Sequence, residues 1–260
     1  MKHSFAICAY GESPYLESCI RSLTAQSMES EIIICTSTPC EHISMLAGKY
    51  DIPVFVREGA PGIGYDWNFA YSKASGQLVT IAHQDDMYHH DYTKTLLEAA
   101  RKYPDMSIFT TASATIKNGQ LVRVDNIAII KALLRLPLRI PALNGYTAVK
   151  KAALTFGNPV ICPSCTYNRQ LCGEHIFNTG YRFVLDWELM RRMAQRPGRF
   201  ICVEKPLIMY RVHADSATGR AIGDRTRERE ESLMFDEALP QFLSEIVKKA
   251  YRRSYGAYKE

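Results

Sequence analysis

Between Phe5 and Ala82, short apolar runs alternate with segments of helical period, and no other feature restricts the fold so strongly. Residues 5–9, 31–35, 53–57 and 77–82 read as strands. Between them Leu16, Cys19, Ile20 and Leu23 recur at helical spacing. Residues 42–50 read as a second helix, and a third carries Trp67, Ala70 and Ala74 on one face. Ser13 followed by Pro14 is a helix-start signature for the first helix. Units of this kind bury their strands in a parallel sheet covered by helices. The expected class is therefore α/β, with a Rossmann-like, mostly parallel central sheet flanked by helices.

Further on, residues 92–103 read as a helix and 107–112 as another strand. Asn118-Gly119 between two short apolar runs is a hairpin signal and predicts a small antiparallel addition at the sheet edge. Residues 127–140 are rich in Ile and Leu, with Lys131, Arg135 and Arg139 spaced four apart. Such a basic amphipathic segment fits a membrane surface. It also fits a helix packed on the domain with its basic residues in water, the reading favoured because Pro137 interrupts the pattern. Cys162 and Cys165 form a Cys-x-x-Cys pair with no second pair at zinc-finger spacing, so a buried apolar pair is expected there.

Chemistry concentrates at three places. The run 77–82 ends in His83-Gln84-Asp85-Asp86. Adjacent carboxylates at the end of a buried strand repel and lose hydration, and a hard divalent cation compensates them. Ligands of open α/β sheets bind beyond the carboxyl ends of the strands, so this is a candidate metal–diphosphate site; the plain alternative is a polar turn. Asp186 sits at the start of a further helix whose apolar face is Leu185, Leu189 and Met193. The helix dipole would keep it ionised, and such a carboxylate is suited to take a proton from a hydroxyl. An N-terminal helix cap is the competing reading. Arg211 and His213 follow a strand-like run two residues apart and project the same way, toward phosphate oxygens or, for His213, a metal.

With 260 residues, 47% hydrophobic and 23% charged, the chain has the composition of an ordinary globular protein. Its formal charge of +5 favours anionic ligands or an anionic membrane surface and does not by itself imply nucleic acid. Residues 1–5 run straight into a strand with no signal peptide, and Cys8, Cys19, Cys35 and Cys202 sit in apolar runs. The expected location is a reducing cytoplasm, including the inner face of its membrane.

Taken in order, these pieces resemble the inverting family 2 glycosyltransferases of the GT-A fold, from about Phe5 to Thr218. Ala9-Tyr10-Gly11-Glu12 resembles the family's first-strand turn, and Gly62-Ile63-Gly64 through Trp67-Asn68 its Gly-rich segment. His83-Gln84-Asp85-Asp86 falls at the Asp-x-Asp-Asp pattern. Leu185-Asp186-Trp187 matches the element supplying the catalytic base, and Tyr210-Arg211-Val212-His213 to Ser216 a Tyr-Arg-x-His-x-x-Ser element. The sequence departs from the pattern at His83, at Thr36-Ser37 where many members carry an Asp that reads uracil, and at Trp67 where an Arg is common.

The resemblance implies a metal-dependent hexosyltransferase that moves a sugar, with inversion, from a nucleotide-diphosphate donor, foremost a UDP-sugar, to a hydroxyl acceptor. The acceptor would be a saccharide or a lipid-linked one, in surface polysaccharide or glycan assembly. It implies Asp186 as catalytic base. It implies Ala9, Tyr10, Glu12, Thr36, Ser37, Trp67, Asn68, Gln84 and Arg211 at the donor, and Asp85, Asp86 and His213 at Mg2+ or Mn2+. Residues 1–223 would form the GT-A domain. Residues 224–260 would form a charged helical tail, solvated or resting on an anionic membrane. A nucleotidyltransferase and a non-catalytic carbohydrate-binding protein are the rival classes, and Tyr10-Gly11-Glu12-Ser13-Pro14 lacks the phosphate loop of the first.

Overall fold

The computed structural model describes residues 1–117, 119–122, 126–213 and 216–255. Its elements run β1 (His3–Ala9), α1 (Leu16–Thr24), β2 (Glu31–Thr36), α2 (Glu41–Lys49), β3 (Val54–Val56), α3 (Ile63–Lys73) and β4 (Leu78–His83). Then come β5 (Met87–Tyr88), α4 (Tyr92–Lys102), β6 (Met106–Lys117), β7 (Gln120–Val122), α5 (Asn126–Arg135), a 3-10 turn (Leu136–Arg139) and α6 (Thr147–Thr155). A second 3-10 turn (Cys162–Ser164), β8 (Thr166–Asn168), α7 (Arg169–Cys172), α8 (Leu185–Ala194), β9 (Arg199–Val212), α9 (Ala217–Gly223), α10 (Thr226–Ala238) and α11 (Gln241–Ser254) complete them.

The strands form one sheet in the order β3-β2-β1-β4-β8-β6-β9-β5, with β7 on β6. β1 pairs in parallel with β2 and β4, β2 with β3, and β6 with β9. The expected hairpin is present as β6–β7, pairing Thr115 with Val122; Asn118 of its turn lies outside the described residues. β8 was not foreseen. It runs antiparallel between β4 and β6 and joins the two parallel halves. Its side chains are polar and look like loop: Thr166 bonds Tyr92 Oη at 2.9 Å, and Asn168 donates to the Met106 carbonyl at 3.0 Å.

Because successive strand residues point to opposite faces, the sheet has two cores. Phe5 and Ile7 pack with α1, α2 and α4; Ala6 packs with α3, α8 and α10. α3 meets the start of α8 closely: a Cβ on Gly64 would stand 2.7 Å from Leu185 Cδ2. That contact sets the height of Asp186 against the sheet.

Two segments differ from expectation. α5 is packed on the domain, but its basic residues turn inward rather than into water. Lys131 Nζ donates to the Asn158 carbonyl at 2.9 Å, and Arg135 Nε to Glu204 at 2.9 Å. The segment from 224 onward is no solvated tail along α10. Arg227, Glu230, Glu231, Met234 and Phe235 are buried, the last against Trp187 with ring centroids 5.1 Å apart. Residues 256–260 of the tail lie outside the described residues. No described helix is long and apolar enough to cross a membrane.

Glu230 shows why α10 matters to the rest. Its carboxylate accepts from the backbone N–H groups of Arg182 at 2.9 Å, Phe183 at 2.8 Å and Val184 at 3.2 Å, the residues that lead into α8. It does from outside what a helix cap does from within. Glu230→Ala would strand these N–H groups, two of which belong to largely buried residues. We expect a loss of about 3 kcal/mol in urea-unfolding stability; a loss below about 0.5 kcal/mol would show that the bonds carry no weight.

Candidate functional site

The parallel register aligns the carboxyl ends of three strands. Ala9 lies beside Thr36, and Cys8 beside both Cys35 and His83. Whatever follows each strand therefore emerges on one rim. Gln84 fastens the turn after β1 from both sides: its Oε1 accepts from Tyr10 N at 2.9 Å and its Nε2 donates to Tyr10 O at 3.1 Å. Gly11 N donates to Thr38 Oγ1 at 2.8 Å, and Thr38 N to Thr36 Oγ1 at 3.0 Å. Ser37 Oγ is buried without a hydrogen-bond partner among the described residues, Tyr10 is 48% exposed, and Glu12 is exposed on the same rim.

Asp85 and Asp86 play different parts. Asp86 is 2% exposed, and its Oδ1 accepts the backbone N–H of Arg211 at 2.8 Å. Burial drives its pKa well up; the Arg211 bond opposes this, and Asp85 adds to it. Asp85 faces its neighbours with both oxygens: Ser13 Oγ donates to Oδ1 at 3.1 Å, and His213 Nε2 lies 3.2 Å from Oδ2. Ser13 thus serves the acid while its Oγ also accepts the N–H of Tyr15 at 3.3 Å, one residue before α1, which begins at Leu16. Arg211 donates from Nε to the Asp85 carbonyl at 2.9 Å, and its guanidinium lies 4.3 Å over the Tyr15 ring. Tyr15 also packs against His213, with centroids 5.0 Å apart. Ala214 and Asp215, which continue that motif, lie outside the described residues.

His213 Nε2 and His83 Nε2 are both buried with no hydrogen-bond partner among the described residues. A histidine nitrogen without a hydrogen-bond partner among the described residues, 3.2 Å from a carboxylate oxygen, belongs to a donor set that suits Mn2+, and less well the all-oxygen preference of Mg2+. Asp85 and His213 therefore fit a divalent ion. His83 is kept neutral, its pKa pushed down to about 4 by burial, and it stacks on Trp67 with centroids 5.1 Å apart. Asn68 serves the fold. Its Nδ2 donates to Phe177 O at 2.8 Å and its Oδ1 accepts from Phe177 N at 2.9 Å, so both ends of the amide are used away from a nucleotide.

Asp186 is the second residue of α8 and is 8% exposed. Its Oδ1 accepts from Trp187 N at 2.8 Å and its Oδ2 from Asn158 Nδ2 at 2.8 Å. Burial raises its pKa; the Asn158 bond and the Lys131 charge pull the other way without cancelling the rise. The expected lowering by the helix dipole is thus outweighed by desolvation. The cation of Lys131 is itself pressed down to about 8 by burial. Asn158 was not assigned a role from sequence, and Lys131 was read there as a basic residue in water rather than as a neighbour of Asp186. The available signals were an Asn before Pro159 and one cation enclosed by Ile and Leu.

The fields of both acidic centres reach one turn. The thiol of Cys162 is raised by burial first, then by the fields of Asp186 and, more weakly, Asp86. Cys165 is fully buried, and all eight cysteines are free.

A model of the family described as glycosyl transferase family 2 matches residues 4–175, well over half of the chain. No curated protein sequence matches it. Among solved structures, Staphylococcus aureus TarS 1-349 superposes with a TM-score of 0.65 at 15% identity, covering 95% of this chain and 69% of its own. The mannosyltransferase PcManGT of Pyrobaculum calidifontis, solved with GDP-Man and Mn2+, gives 0.65 at 15% identity, covering 96% and 69%. Glucosyl-3-phosphoglycerate synthase of Mycobacterium tuberculosis, solved with Mn2+, UDP-glucose and phosphoglyceric acid, gives 0.59 at 13%, covering 92% and 81%. At such identities the likeness is one of fold, and that fold is GT-A.

The Lys131–Asp186 coupling can be measured directly. A cation lowers the pKa of a nearby acid, so its removal must raise it. Lys131→Met should move the titration midpoint of the Asp186 carboxyl carbon, followed by NMR, to higher pH. An unmoved midpoint would mean that the two charges do not sense each other.

Proposed function

The chain belongs to glycosyl transferase family 2, and from that premise we propose that it moves a hexose from a nucleotide-diphosphate donor to an acceptor hydroxyl with inversion. One observation carries the reading: Asp186 is a buried carboxylate whose pKa is raised by desolvation and whose Oδ2 is held by Asn158, in a chain whose β4 runs into the Asp85–Asp86 pair.

In this proposal the donor lies on the rim of β1, β2 and β4. The nucleoside sits against Tyr10, Thr36 and the unpartnered Ser37 hydroxyl, and a UDP-sugar is the first donor to test. Asp85 and His213 would hold a divalent ion, which would supply Lewis-acid neutralisation of the diphosphate. Asp86 acts one step back by fixing the Arg211 backbone. Arg211, braced by Tyr15 and the Asp85 carbonyl, supplies positive charge beside the leaving group.

Asp186 takes the proton of the acceptor hydroxyl. The oxygen attacks the anomeric carbon from the face opposite the diphosphate, the new C–O bond forms as the old one breaks, and the nucleoside diphosphate leaves. A base with a raised pKa drives this transfer better than an ordinary aspartate. Asn158 presents Asp186 Oδ2 in one orientation, and Lys131 holds the backbone of that loop. A part in glycan or polysaccharide assembly follows from a saccharide or lipid-linked acceptor.

Release of free nucleoside diphosphate from a panel of donors, with and without Mn2+, tests the proposal; no release from any donor would favour a non-catalytic binder. Asp186→Asn should bind donor as the parent does and lose about 100-fold or more of transfer. The folded pKa of Asp186 lies above its unfolded value, so ionising it costs the folded state stability as pH rises through the folded pKa. The neutral variant should accordingly melt no lower than the parent at pH 7. Transfer near the parental rate would remove Asp186 from the role.

A further inference from the structure

α5 and the 3-10 turn after it are built inside out. Lys131, Arg135 and Leu138 face the domain. Ile129 (48% exposed), Ile130 (51%), Leu133 (59%), Leu136 (47%) and Ile140 (48%) face away from it, and Leu143 and Tyr146 continue the exposed apolar surface toward α6. Scattered exposed apolar residues need no explanation, but a run along one side of a helix marks a contact surface.

The charge around this face selects its occupant. From Asn126 to Gly173 the sequence holds no Asp or Glu; Lys131, Arg135 and Lys150 are turned inward, which leaves Arg139, 3.9 Å from Glu204, and Lys151 as the exposed cations of that stretch. Arg139 is 42% exposed on its side chain, and Lys151 is exposed. Leu134 of α5 and Tyr251 of α11 both pack over Gly157, which brings the basic end of α11, with exposed Lys249 and Arg253 and with Arg252 paired to Glu228 at 2.9 Å, beside the face. A second copy of the chain would oppose one basic rim with another. An anionic surface complements the rim and accepts the apolar side chains between its head groups.

We propose that the outer face of α5 and its following turn is a docking surface for an anionic lipid bilayer, a peripheral contact that does not span it. The inference goes beyond the reaction and does not depend on the identity of donor or base. Its consequence is geometric. The inner side of the same helix holds Lys131 and, through the Asn158 loop, Asp186, so docking sets the base one helix thickness from the lipid surface.

The full chain would be co-sedimented with vesicles of phosphatidylcholine alone and with vesicles containing about one third phosphatidylglycerol. Binding about tenfold stronger to the anionic vesicles, weakened by salt, is expected. Ile130→Glu with Leu133→Glu should reduce it about tenfold or more, and the milder Leu133→Ser should reduce it in part, with melting temperatures retained. None of these residues belongs to the reacting site, so nucleoside diphosphate release in solution should persist in the variants, which separates this test from that of the reaction. Equal or absent binding to the two vesicle types, or undiminished binding by the folded variants, would overturn the proposal. So would a concentration-dependent dimer that the double substitution splits, since the face would then belong to a second copy.

Discussion

The hydrogen bond from the Arg211 backbone to Asp86 joins residues 125 positions apart, and the arrangement of the site depends on it. A carboxylate buried at the end of β4 has lost its water and must find donors in the protein. The backbone of β9 supplies one. In doing so it brings Arg211 and His213 to the rim where Asp85 already points. The acid that looks most like part of a ligand set is thus a clamp. Its clamping leaves its neighbour and a histidine free to form one.

Much of this was readable from residues, for identifiable reasons. β1, β2 and β4 are apolar on both faces because both faces are covered, and such runs stand out. Asp186 could be placed at a helix start because Leu185, Leu189 and Met193 fix the phase of α8. β8 could not be read, because Thr166 and Asn168 are satisfied by hydrogen bonds to Thr80, Tyr92 and the Met106 carbonyl rather than by apolar contact. Thr166 and Asn168 are polar and still 0% and 2% exposed. Asn68 lay inside a motif, yet only coordinates show both ends of its amide engaged by Phe177.

Periodicity reports that a helix has two faces, not which of them is inside. In α5 the charged face is inside because Lys131 and Arg135 find carbonyls of the 158–160 loop and the Glu204 carboxylate there. In α10 an ion pair between Arg227 and Glu231 at 2.9 Å, together with the Glu230 carboxylate, fills positions that a polarity rule assigns to water. Both helices back the Asp186 side of the cleft. A base of raised pKa needs a dry surrounding, and a dry surrounding made partly of paired charges also orients its polar parts. The unusual helices and the proposed base are two aspects of one packing solution.

The departures from the family pattern point the same way. His83 stands where that pattern has an acid, and Trp67 where an arginine is common. In this chain the two side chains are stacked on each other, 5.1 Å between centroids and 28° between planes. Here a neutral histidine and an indole form an aromatic pair. On the proposed reading, the cation is then left to Asp85 and His213, and donor contacts move toward the turn that Gln84 and Ser13 hold in place.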